Sequence, residues 1–370
     1  MGQWRDLVTL ARWLGPWASE SRMPGTVRRT ELIEPADCPE GEMRALVYEP
    51  MMRPVEGAFL LAPGLHFLGA PHPRFQRFAS ILAAAGYLVM SPFVPGYSDM
   101  QIKADSHRVF LAAFDRLCAD ARVPHGIKPA VFGISFGSWL VFKLLTDPER
   151  RARVAGAVVF GGYGSFHHAA QFAISGQLNG HVSASRDIRN TPAVFMHIVD
   201  ALEKSEPTKS LLTEAWLRYM QETWEQDSMR DLQSCLGVAK TISIDLPEEC
   251  RLLFLIGCGV QPGADKLLRE ALEELDFSYL DVRPSFDRIL CPIYLMHGRD
   301  DDVIPYTEVD VIRSALPKAL HCEIFLTGLY GHSKRDTQGV DGGGAGKLRE
   351  MAMMVRMLKV FGAIGKGLQP

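Results

Sequence analysis

The chain has 370 residues, 47% of them hydrophobic and 22% charged, with a net charge of −3. That is enough apolar material for a sizeable core, either one large α/β domain with an insertion or two modest domains. The charge balance offers no basic stripe for nucleic acid and no electrostatic ground for constitutive binding to anionic lipid.

Seven scattered cysteines contain no C-x-x-C pair, so neither a zinc site nor a disulfide framework is indicated, and a reduced, cytoplasmic setting is the expectation. No secretory signal is read at the N-terminus, and no apolar run of about 18 residues occurs. Within residues 1–25, Trp4, Leu7, Val8, Ala11 and Leu14 recur at helical spacing, and Leu10, Trp13 and Trp17 widen the apolar face. This predicts an amphipathic helix docked on the body of the protein; membrane-interface attachment, confined to residues 1–22, or a dimer contact are the alternatives. Pro24-Gly25 ends the segment.

From residue 43 strands alternate with helices. Met43–Tyr48, Gly57–Ala62, Tyr87–Ser91, Pro129–Gly133 and Val154–Phe160 read as strands; Pro73–Ala85, Asp105–Asp120 and Gly137–Thr146 read as helices. The strands are continuous apolar runs, which predicts a mostly parallel sheet flanked by helices on both faces. Residues 163–284 break the rhythm: they are helix-rich, with Thr191-Pro192 as a helix start and helical spacing in Leu211–Gln226 and Ala264–Leu275. Such a block in an α/β protein is expected to be a cap. The rhythm returns in Ile293–His297, Thr307–Leu316 and Cys322–Leu326, and a last helix spans about Lys347–Phe361.

Gly133-Ile134-Ser135-Phe136-Gly137 lies between the strand Ala130-Val131-Phe132 and the helix that begins at Gly137. A serine presented on a tight strand-to-helix turn needs small neighbours, and the two glycines supply them. The helix N-terminus points at the site, so Phe136 N–H can stabilise a developing oxyanion. An ordinary glycine-rich turn is the competing reading. Downstream, Ile293–Gly298 runs into Arg299-Asp300-Asp301-Asp302, where a carboxylate can orient a histidine. Three aspartates compete, and Asp300 and Asp302 are expected to be solvated turn residues. His332 lies beyond strand Cys322–Leu326 on a loop bounded by Gly328 and Gly331, a position from which it can act as general base.

In combination these segments resemble the α/β-hydrolase superfamily over about residues 43–161 and 285–361. Phe75 to Ser98 is similar to the segment after the family's oxyanion strand. His297-Gly298, Asp301 and Ile304-Pro305 resemble its acid motif, and Gly331-His332 its histidine loop. The resemblance implies the order Ser135, Asp301, His332 for nucleophile, acid and base. It also implies Leu65 N–H as a second oxyanion donor beside Phe136, in Pro63-Gly64-Leu65-His66 where many relatives carry His-Gly. His66 is expected to be exposed or hydrogen-bonded locally, with a place in the lining of the site as the alternative. The domain reading is 1–25 helix, 26–162 and 285–370 core, and 163–284 cap.

The glycine-rich stretch Asp341–Lys347 lacks phosphate-loop spacing and is expected to be a flexible loop; Gly161–Gly164 is expected to form a hinge into the cap. His167-His168 lacks metal-ligand spacing. The expected activity is hydrolysis of a small-molecule carboxylic ester through an acyl-enzyme, with no cofactor and no metal. Trp216, Tyr219, Met220, Trp224, Leu252 and Phe254 either shape an apolar substrate site or pack the cap's own core. An aminopeptidase-type peptidase, an acyltransferase and a non-catalytic binding relative are the alternatives, with Glu248, Glu249 and Glu274 as available acids for a substrate amine.

Overall fold

A computed structural model describes residues 2–15, 18–19, 21–178, 181–182, 186–328 and 344–368. The elements begin with α1 (Gly2–Leu14), β1 (Val27–Pro35), β2 (Glu42–Pro50), β3 (Gly57–Ala62), α2 (Pro73–Ala84) and β4 (Tyr87–Pro92). They continue with α3 (His107–Cys118), β5 (Ala130–Ile134), α4 (Gly137–Thr146) and β6 (Ala157–Phe160). Then come α5 (Phe166–Ser175), the two-residue strands β7 (Gln177–Leu178) and β8 (His181–Val182), α6 (Thr191–Ile198), α7 (Glu206–Thr223), α8 (Leu232–Ile244), α9 (Glu248–Gly257) and α10 (Ala264–Glu274). The chain closes with β9 (Ile293–Gly298), α11 (Glu308–Ala315), β10 (Cys322–Thr327) and α12 (Gly344–Ile364).

Eight strands form one sheet in the order β1-β2-β4-β3-β5-β6-β9-β10. From β4 to β10 every neighbouring pair is parallel, whereas β2 runs antiparallel to both β1 and β4. Every residue of β3 and β4 is buried, because helices cover both faces and leave no solvated side for polar residues. One face packs against α3, α4 and α11, the other against α1, α2 and α12. This mostly parallel, doubly covered sheet, with a sharp strand-to-helix turn after its central strand β5, is the α/β-hydrolase fold.

Two local expectations are corrected. Thr191 is the first residue of α6 rather than its cap, which is Asn190. Gly344–Lys347, read as loop, opens α12. Strand β1 has no counterpart in the sequence reading, since it is an edge strand whose charged residues face solvent and blur the two-residue alternation.

Helix α1 packs against α12 and α2, with Leu10 fully buried. A buried ion cluster fixes it there. Asp6, with no exposed surface, lies 2.6 Å from Arg53 Nη2 and 2.5 Å from Lys366 Nζ, and Lys366 also meets Glu56 at 2.6 Å. The buried guanidinium of Arg77 donates to the carbonyls of Trp13 (2.8 Å), Ser19 (3.0 Å) and Arg22 (2.9 Å). Trp17 and the side chain of Trp4 lie outside the described residues. No described helix is long and apolar enough to cross a membrane.

Candidate active site

Ser135 sits between β5 and α4 with φ of +53°, in the left-handed region that non-glycine residues rarely adopt. Its N–H donates to Phe160 O (2.9 Å) on the neighbouring strand, and its carbonyl accepts from Ser138 N–H (3.0 Å). The turn is so tight that its glycines have no substitute. A Cβ on Gly133 would lie 2.7 Å from Gly137 O, and one on Gly137 would lie 2.5 Å from Ala62 O and 2.6 Å from Pro63 O. The β3 loop, Pro63-Gly64-Leu65, is thereby pressed against the serine turn.

Leu65 and Phe136, the two expected oxyanion donors, line the same cavity as Ser135. Among the described residues, neither backbone N–H has an acceptor within the protein. A tetrahedral oxyanion requires two such donors converging beside the nucleophile's hydroxyl.

Asp301 is buried in the turn after β9. Its Oδ1 accepts from Val303 N–H (2.9 Å) and Ile304 N–H (2.8 Å), and its Oδ2 lies 3.2 Å from His297 Nε2. His297 Nε2–H also reaches Ile304 O at 3.0 Å, so histidine and turn hold the carboxylate in one orientation. Of its neighbours, Asp300 is exposed as expected, but Asp302 is not a solvated residue. It is buried, with Arg230 3.6 Å away, because a cation from the helical segment comes down onto the turn. His332 lies outside the described residues.

The cavity around Ser135 has a volume of about 400 Å³ and a mainly apolar wall. Its polar rim comes from the β3–α2 connection and from the turns after β8 and α7. His66 accepts Leu68 N–H at Nδ1 (3.0 Å), the local hydrogen bond expected for it, but it also lines the cavity. His72 Nε2–H donates to Glu225 Oε1 at 2.6 Å. These three side chains bring possible metal-ligating atoms within 4.8 Å of one another. With Nδ1 accepting a hydrogen bond, however, the ring proton of His66 resides on Nε2, which then has no lone pair for a metal. Burial, aided by neighbouring His72, pushes His66 down to about 4, so the ring is neutral at pH 7. His197, also on the wall, donates from Nδ1 to Ala193 O (2.8 Å) and accepts Ile102 N–H at Nε2 (3.2 Å), which leaves no nitrogen for proton transfer.

Several site-shaping residues escaped the sequence reading. Arg189 grips Asp187 through Nε (2.9 Å) and donates to Thr223 O (3.0 Å) and Gln226 O (3.1 Å), while Trp224 Nε1–H returns a bond to Arg189 O (2.8 Å). Together they hold the Trp224-Glu225 turn over the cavity, with Glu225 at φ of +62°. Buried Glu308 accepts Gly164 N–H (2.8 Å), Ser165 N–H (2.9 Å) and the His168 ring (3.0 Å), fixing the chain where it leaves β6. No local motif announces these contacts, since each joins distant segments. Of the six apolar residues singled out in the helical segment, only Trp224 lines the cavity. Trp216, Tyr219, Met220 and Phe254 are fully buried in the segment's own core, and Leu252 is exposed.

No family model matches the chain, and no curated protein matches it. Among solved structures it is similar to an acylaminoacyl peptidase in complex with Z-Gly-Gly-Phe-chloromethyl ketone, at 10% identity and a TM-score of 0.49, covering 90% of this chain and 41% of that one. It is similar to Pyrococcus horikoshii acylaminoacyl peptidase at 8% identity and a TM-score of 0.48, covering 93% and 43%. It is also similar to a 2,6-dihydroxy-pseudo-oxynicotine hydrolase at 16% identity and a TM-score of 0.48, covering 93% and 70%. The chain thus spans about two fifths of the length of these acylaminoacyl peptidases.

Proposed function

We propose that the protein is a serine hydrolase that cleaves a carboxylic ester through an acyl-enzyme. The observation that carries this reading is the backbone of Ser135: a serine in a left-handed conformation, on a turn packed too tightly for any Cβ at Gly133 or Gly137. Strain of this kind persists where the surrounding structure enforces it, and here it puts a hydroxyl at the edge of a cavity. Ser135 Oγ bonds to the ester carbon as His332 takes its proton, and Leu65 and Phe136 N–H hold the oxyanion. The bond to the leaving alcohol then breaks, and that oxygen receives the proton from His332. Water repeats the sequence on the acyl-enzyme and releases the acid. Asp301 orients His332, and its prior fixation by the turn suits that task. Residues 163–284 act as a cap, since Arg189, His197 and Trp224 line the same cavity as the serine.

The peptidase alternative calls for an unengaged carboxylate to hold a substrate amine. The two described carboxylates on the cavity wall are occupied, Glu225 by His72 and Asp187 by Arg189, while Glu248, Glu249 and Glu274 are exposed elsewhere. This favours the ester.

The test is covalent labelling by a fluorophosphonate probe, with p-nitrophenyl esters assayed beside aminoacyl anilides. Labelling should vanish in Ser135→Ala and ester turnover should fall by roughly 10⁴-fold. Near-wild-type turnover in that variant would overturn the assignment. Turnover that survives His332→Ala but not His72→Ala would move the base to the His72–Glu225 pair.

A further inference from the structure

The cavity does not end beneath the cap. From Ser135 it continues down the opposite face of the sheet, between β5, α2 and α12. On α12 its wall is Met354, Met357, Leu358 and Phe361, one stripe at helical spacing. Helix α12 ends where β3 begins, Gly365 O accepting Ala58 N–H at 3.0 Å, so it runs antiparallel to the strands and Phe361 lies deeper than Met354. At the Phe361 end the wall includes three rings in mutual contact: Phe78 and Phe132 with centroids 4.6 Å apart, Phe78 and Phe361 at 5.7 Å, and Phe132 and Phe361 at 5.9 Å. The polar residues of the cavity wall belong to its other end, at the rim beside His72 and Glu225.

We propose that this sheet-side arm is the acyl site, and that it holds an unbranched aliphatic chain with the Phe78, Phe132 and Phe361 rings as its floor. The proposal rests on the hydrolase reading and names its substrate class: esters of medium-chain fatty acids. An apolar arm walled by rings suits the part of the substrate that stays bound after the first step, and the polar rim suits the alcohol that leaves. Methionines suit it as well, since Met354 and Met357 can shift their thioethers around a mobile chain where branched residues could not. From Met354 to Phe361 the wall extends about 10 Å, which accommodates roughly eight carbons of an extended chain. Of the cap aromatics, Trp216, Tyr219 and Phe254 are spent on their own core, and Trp224 lines the cavity at its polar rim rather than in the arm.

The experiment compares kcat/KM for p-nitrophenyl acetate, octanoate and palmitate in the full-length protein and two variants of opposite effect. Met357→Trp fills the arm and should lower the octanoate-to-acetate ratio at least about tenfold; Leu358→Phe replaces it if the tryptophan variant fails to fold. Phe361→Ala opens the floor and should raise the palmitate-to-octanoate ratio at least about fivefold. Binding of octanoate to Ser135→Ala, measured calorimetrically, should be lost when Met357→Trp is added. Ratios unchanged in these variants of an active enzyme, or moved instead by Ala170→Trp beneath the cap, would overturn the acyl-site assignment and leave the hydrolase reading standing. A wild-type chain with no esterase activity and no fluorophosphonate labelling would overturn the hydrolase reading, while Met357-dependent octanoate binding would still support the arm as a chain site.

Discussion

A methyl group on Gly64 would lie 3.3 Å from Cβ of Ser135. The loop that brings the Leu65 N–H and the turn that brings the hydroxyl therefore touch at a residue without a side chain. Their spacing is set by backbone contact. Gly64→Ala should fold, since a few tenths of an ångström of movement relieves the contact, but it should lower esterase kcat by roughly tenfold or more by shifting donor and nucleophile apart. Gly137→Ala differs in kind. Its Cβ would meet two backbone carbonyls, and we expect a loss of at least about 2 kcal/mol in stability. Thermal melts paired with ester kinetics separate the two effects; a Gly64→Ala enzyme with unaltered kcat would contradict the first.

The left-handed backbone at Ser135 has a measurable consequence of its own. An L-residue in that conformation costs about 1–2 kcal/mol relative to glycine. Ser135→Gly should therefore be more stable than Ser135→Ala by about 1 kcal/mol, although both lack the hydroxyl and should be inactive. Chemical denaturation of the pair gives the comparison directly. Equal midpoints and slopes would mean that the turn carries no strain.

Asp6 is buried against Arg53 and Lys366, and removing its charge would leave Arg53, only 6% exposed, with Glu56 as its remaining acid. Breaking such a cluster on one side costs about 3 kcal/mol. Asp6→Asn should lower the melting temperature and loosen α1, so that trypsin cuts sooner at the exposed Arg12. Replacing acid and base together, as Asp6→Leu with Arg53→Met, should recover much of the loss. Unchanged proteolysis in Asp6→Asn would mean that α1 is held by its apolar face alone.

The parts of the fold that sequence reading reached are those in which a period reports burial directly. Gly57–Ala62 and Gly137–Thr146 have the bounds the sequence indicates, because a two-sided buried strand and a helix after a glycine turn each leave an unambiguous pattern. The turn at Ser135 was legible for a steric reason, since only glycine fits beside it. What stayed hidden depends on contacts between remote segments. Asp302 looks like a turn residue until Arg230 arrives from the helical segment, and the grip of Arg189 on the Trp224-Glu225 turn has no local signature. The direction of the cavity was hidden too. The Met354–Phe361 stripe reads as an ordinary core face, and only the position of α12 relative to β5 turns part of that face into a wall.

His66 gives a prediction in pH. Its ordinary value is 6.5, and burial with His72 alongside pushes it to about 4 in the folded protein. The direction is that of a base resisting protonation. Below 6.5 the unfolded chain takes up a proton at this ring that the folded chain refuses until about 4. Stability from this group is thus complete above pH 6.5 and declines as pH falls toward 4. By pH 5 the loss is on the order of 2 kcal/mol. Glutamine at this position keeps a donor and an acceptor but cannot titrate, so His66→Gln should lose less stability than the wild type on going from pH 7 to pH 5. Denaturant unfolding of both proteins at the two pH values measures the difference. Parallel losses would place the His66 ring in a more solvated setting than its packing against Phe67, His72 and Trp224 implies.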